Sequence, residues 1–129
     1  MVNLIEHPSE YAMLQNNLGN ALQYASSSHA FENNLRAIAA YDEALKVRTP
    51  ASTPLEYANT LANKANCLLN LPDDPQLPEQ GNPDNRARAR AYLEDARSIF
   101  EMHGALDNLQ LVAETLAALD AEPAAAPAG

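Results

Sequence analysis

The sequence has no tryptophan, one cysteine (Cys67), four glycines, and only eight basic residues against seventeen acidic ones. Each shortage excludes something. A lone thiol cannot form an internal disulfide and suits a reducing compartment, so a cytoplasmic protein is expected. A formal charge of −9 repels phosphate, which argues against nucleic acid as a partner, favours solubility and would draw in basic segments. There is no apolar run of the roughly 18 residues that a membrane span needs, and no charged-then-apolar leader. Val, Ile and Phe are few while Ala and Leu abound, a balance that favours helix over sheet. Aromatics make up 5% of the chain, so its core must come from close helix approach across alanines. A chain of 129 residues has room for one domain with a real core and not for two.

What is present is organised around Thr53 to Asn70, TPLEYANTLANKANCLLN. Thr53, Pro54 and Glu56 form a helix start: a capping hydroxyl, a first-turn proline and a glutamate able to reach back. Tyr57, Leu61, Ala65 and Leu68 recur at helical spacing and make an apolar stripe. Asn59, Asn63, Asn66 and Asn70 make a second, polar one. Asparagine is a mediocre helix former, so a row of four does nothing for helix stability.

Four further helices are expected around this one, in an all-α chain. The first spans 8–25 and carries Tyr11, Leu14, Leu18, Ala21, Leu22 and Ala25 on one face, ending at Ser26-Ser27-Ser28. The second spans 30–48, with Leu35, Ile38, Tyr41, Leu45 and the intervening alanines inward. Residues 71–85 hold four prolines and a glycine, which excludes regular structure over most of them. The fourth helix spans 83–103, with Gly104 as its stop, and the fifth spans 105–120, with Leu106, Leu109, Val112, Ala113, Leu116 and Leu119 on one side. Residues 121–129, rich in Ala and Pro, are expected to be a flexible tail.

The chain repeats itself. A shift of 46 puts Pro8, Glu10, Tyr11 and Ala12 on Pro54, Glu56, Tyr57 and Ala58, and Asn17, Asn20 and Leu22 on Asn63, Asn66 and Leu68. A shift of 52 puts Ala37, Ala39 and Ala44 on Ala89, Ala91 and Ala96. The six-residue difference falls in the proline-rich segment. Paired helices at a fixed period indicate stacked hairpins, each burying its neighbour's apolar face. QNNLGNAL (Gln15 to Leu22) followed by AIAAYDEAL (Ala37 to Leu45) resembles the tetratricopeptide repeat family, in its longer-period form found in kinesin light chain and bacterial arrays. The likeness covers Pro8 to His103; in the second repeat Ala65 replaces Gly19 and Leu93 replaces Tyr41. It implies a right-handed α-solenoid filling residues 1–120, with repeats at 8–48 and 54–103 and a C-terminal capping helix at 105–120.

In that family the first helix of each pair lines a concave groove, which would give the asparagines a use. The resemblance implies that Asn16, Asn17, Asn20 and Tyr24, with Met13, face Asn59, Asn63, Asn66 and Asn70. Paired carboxamides suit an extended peptide backbone. Asn16, Asn20, Asn59, Asn63 and Asn66 are then expected to be exposed and without internal partners. Some relatives clamp a terminal carboxylate through asparagines placed like Asn20 and Asn63 plus basic residues. Here Asn16 replaces the first lysine and the fifth helix has no Lys or Arg, so that mode is excluded.

Other chemistry is thin. His7, His29 and His103 sit at helix ends, with no metal-ligand spacing and none near Cys67, which reads as a small core residue. Arg86, Arg88, Arg90 and Arg97 suit a solvated face paired with Glu94, Asp95 and Glu101, or a docking patch for acidic groups. Leu111 falls on the polar side of its helix. The expectation is a non-enzymatic adaptor or assembly factor without cofactor, metal or small-molecule substrate, holding a neutral or basic extended segment of another protein. A permanent structural subunit using its convex face or ends is the alternative; a small enzyme would need clustered acid, base or nucleophile residues that are missing.

Overall fold

Proline begins two of the helices. In the computed structural model, which describes residues 5–24, 30–71 and 84–121, α1 (Pro8–Tyr24) and α3 (Pro54–Asn70) both open on that residue, whose fixed φ and absent N–H cost nothing in a first turn. They are joined by α2 (Ala30–Ala44), α4 (Asp84–Met102) and α5 (Leu106–Ala121), and no strand occurs among the described residues. The chain is all-α. The Ser26–Ser28 break, the proline-rich stretch beyond Leu71 and the tail beyond Ala121 lie outside the described residues.

The dominant contacts pair α1 with α2 and α3 with α4; α3 then packs on α2, and α5 on α4. The larger core cluster joins Ala58, Ala65 and Leu68 of α3, Leu93, Ala96 and Phe100 of α4, and Val112, Leu116 and Leu119 of α5. A smaller one joins Ala37 and Tyr41 of α2 to Cys67. Lys64 stitches three helices: its buried ammonium lies 2.6 Å from the Asp42 carboxylate and 4.9 Å from the Tyr92 ring centre. Such a charge is tolerated inside because it is paired.

Helix ends differ in detail from their sequence signals. α2 stops at Ala44, short of the expected Arg48. Lys46 and Val47 donate to Glu43 and Ala44 at 3.2 and 3.1 Å, three residues back, so the chain tightens into a turn ahead of Pro50. The Thr53 hydroxyl makes no capping bond to α3; it accepts the Thr49 N–H at 3.0 Å and closes the preceding turn instead. Gly104 does stop α4. Its φ of +68° is open to glycine, and Ala105 donates to Phe100 at 2.9 Å while Gly104 donates to Glu101 at 3.2 Å. Those two bonds are a Schellman closure.

α1 departs further from its sequence pattern. Its leucine stripe was the expected inner face, yet Leu14 and Leu18 are 49% and 46% exposed. The buried stripe is Ala12, Asn16 and Gly19. Small residues let α1 come close to α2: at Gly19 an added Cβ would lie 2.5 Å from the Tyr41 ring.

Candidate functional site

The asparagines of α1 and α3 do not form two open, facing rows. Asn16 is only 6% exposed, and its carboxamide oxygen accepts from the Thr60 hydroxyl at 3.1 Å and from the Asn63 amide at 3.3 Å. Thr60 in turn accepts from Arg48 at 3.0 Å. Asn20, half-buried, accepts the Tyr41 hydroxyl at 2.6 Å, and Gln23 donates to that hydroxyl at 3.0 Å. These contacts overturn the expectation that Asn16, Asn20 and Asn63 lack internal partners. Asn16 and Asn63 close a seam between the hairpins, while Asn20 bonds within the first hairpin, because the close approach of α1 leaves buried polar groups that must be satisfied. Asn17 and Tyr24 are exposed on α1, and Asn70 is exposed at the end of α3.

An open groove lies one step further along, between α3 and α5. Asn59, Asn63 and Asn66 form one wall; Asn108, Leu111 and Thr115 form the other; Leu93, Phe100 and Val112 help to close the base, around a space of about 100 Å³. Asn59, Asn66 and Asn108 make no side-chain hydrogen bond among the described residues. Thr115 donates to the Leu111 carbonyl at 3.1 Å, leaving its hydroxyl oxygen able to accept. Leu111 stands on the rim, 64% exposed.

No lining residue carries a charge, although the chain carries −9 overall. The groove therefore offers carboxamide donors and acceptors and one hydroxyl beside apolar carbon, and no lining residue is an ionisable acid or base. Sequence periodicity singled out the α3 wall and Leu111 but missed Asn108 and Thr115. Those two share a helical stripe with Leu111, at spacings of three and four, but only the docking of α5 on α4 brings that stripe opposite α3.

Arg90 pairs with Asp120 of α5 at 2.6 Å rather than with the acids of its own helix. Among the described residues no group of three or more His, Cys, Asp or Glu is placed to hold a metal. No helix among them is long and apolar enough to cross a membrane.

Cys67 is fully buried, and burial pushes its thiol up to about 12 from an ordinary 9.0. Burial likewise raises Tyr41. Both stay protonated in the fold, whereas in the unfolded chain the thiol loses its proton first as pH climbs. The unfolded state then binds fewer protons, so stability falls with rising pH. The urea midpoint is expected to decline from about pH 9 upward, near the ordinary thiol value. Cys67→Ala should remove the earliest part of that decline; an unchanged pH profile in the variant would assign the effect to other groups.

Comparison with known protein families, with curated proteins and with solved structures finds no match.

Proposed function

We propose that this chain is a tetratricopeptide-like, right-handed α-solenoid of two hairpins and a capping helix that works as a non-enzymatic protein-binding module. In this reading it is a cytoplasmic adaptor or assembly factor, and it holds an extended, uncharged or basic segment of another protein between α3 and α5. The observation that carries the reading is the neutral groove with unpaired carboxamides on both walls, Asn59 and Asn66 facing Asn108. An extended backbone has one donor and one acceptor per residue, which carboxamides match in either direction. Leu111 and the apolar base supply contact for one aliphatic side chain of the ligand. The internal helix repeat and the order in which the helices pack support the solenoid reading.

A phage-displayed library of random peptides, selected on the full chain, tests this. Selected peptides should bind less tightly to an Asn59→Ala, Asn66→Ala double variant, by about 1–3 kcal/mol for the pair. Thermal stability of the variant should hold or rise, since alanine is the better helix former. Added salt should matter little, because neutral amides carry the contact. Peptides that bind the double variant undiminished would place the binding surface elsewhere.

A further inference from the structure

The bare leucines of α1 occupy positions that are interior in the second hairpin. By the shift of 46, Leu14 and Leu18 correspond to Thr60 and Lys64. Those are 0% and 8% exposed, because the first hairpin covers that face of α3. The surface copy of this face is thus more apolar than the buried copy, the reverse of what solvation alone would favour. Leu18 and Leu22 of α1 and Ala39 and Ala40 of α2 line a shallow groove of about 270 Å³ there, open to solvent, with Arg36 and Glu43 at its two ends.

We infer that this face is the interface of a twofold-symmetric dimer of the chain. On α2, Arg36, Ala39, Ala40 and Glu43 fall at helical spacings of three, one and three, on a single stripe. A twofold axis between Ala39 and Ala40 makes the stripe antiparallel to its own copy. Ala39 is exposed beside the axis and Ala40, 5% exposed, lies beneath it, so small side chains there allow close approach, and Arg36 of each copy reaches Glu43 of the other, about 10 Å along the helix. The pattern is self-complementary in charge as well as in shape. Arg36 has no ion-pair partner among the described residues of its own chain. Glu43, held by Lys46 and the Tyr11 hydroxyl, still has lone pairs for a guanidinium. The Leu14–Leu18 ridge of each copy then enters the α1–α2 groove of the other, completing a four-helix contact. This dimer leaves the α3–α5 groove open, so it stands or falls independently of peptide binding.

Sedimentation equilibrium of the full chain at physiological ionic strength, where charge repulsion beyond about 8 Å is screened, provides the test. The wild type should reach the mass of two chains. Leu18→Glu, and separately Arg36→Glu, should weaken association by about tenfold or more while circular dichroism keeps its helical signal. Glu43→Arg should behave as Arg36→Glu does. An equimolar mixture of those two charge-reversed chains should return to the two-chain mass, because each then meets an opposite charge in the antiparallel register. A wild type that stays at one chain mass overturns the inference. So does a dimer that survives both Leu18→Glu and Arg36→Glu, since it would use another face. If Glu43→Arg disturbs folding, those two exposed-site variants decide the question by themselves.

Discussion

Gly19→Leu is expected to destabilise the fold by about 1–3 kcal/mol, the usual cost of forcing carbon into a filled site. The added Cβ alone would lie 2.5 Å from Cε1 and 2.7 Å from Cζ of Tyr41. That ring cannot swing aside cheaply. It is fully buried, and its hydroxyl is held by Asn20 and Gln23, so displacement also breaks hydrogen bonds worth about 1 kcal/mol each. The second hairpin shows the remedy. There Ala65 takes the place of Gly19 and Leu93 that of Tyr41, and both lie in one buried cluster. Gly19→Ala should therefore cost stability in the wild type but little in a Tyr41→Leu background, where a better helix former meets a smaller partner. Urea unfolding of the four chains measures the coupling. Equal losses in both backgrounds would mean that the ring is not what resists.

Phe100→Ala should cost more, about 3–5 kcal/mol, which is a large share of the 5–15 kcal/mol that holds a domain of this size. The ring is 1% exposed and sits where α3, α4 and α5 share their apolar atoms. Its removal leaves a void under the α3–α5 groove, whose base the ring helps to close. Leu111→Ala, on the rim of the same groove, should stay within about 0.5 kcal/mol. Chemical denaturation followed by circular dichroism separates the two. A Phe100→Ala chain as stable as the wild type would mean that α5 is not docked through this ring.

Much of the helical order was legible from spacing, because apolar residues at three and four apart define a face wherever the helix ends up. Spacing does not say which face becomes covered. On α1 the leucines and the Ala12–Asn16–Gly19 stripe are both periodic, and the second won because close approach to Tyr41 favours small side chains. The same ambiguity hid the burial of Asn16. A row of identical amides reads as one surface, yet the crossing of α1 over α3 takes Asn16 and part of Asn63 into the seam and leaves Asn59 and Asn66 outside. Asn108 was invisible for a different reason: its relation to α3 is made by tertiary packing alone. The early end of α2 and the redirected Thr53 hydroxyl are local competitions between turn and helix bonds, decided by geometry that composition does not encode.

The alternation of Gly19 with Tyr41 and of Ala65 with Leu93 also bears on how the chain reaches this arrangement. Near-duplicate helices invite assembly with the wrong neighbour, a common trap for repeated sequences. Here each wrong pairing carries its own penalty. α3 taking the place of α1 as hairpin partner of α2 would drive the Ala65 methyl into the Tyr41 ring, and α1 taking the place of α3 beside α4 would leave Gly19 facing the shorter Leu93 across a void. The two hairpins thus carry different keys, and a mismatched intermediate is less stable than the correct one before the rest of the chain has folded.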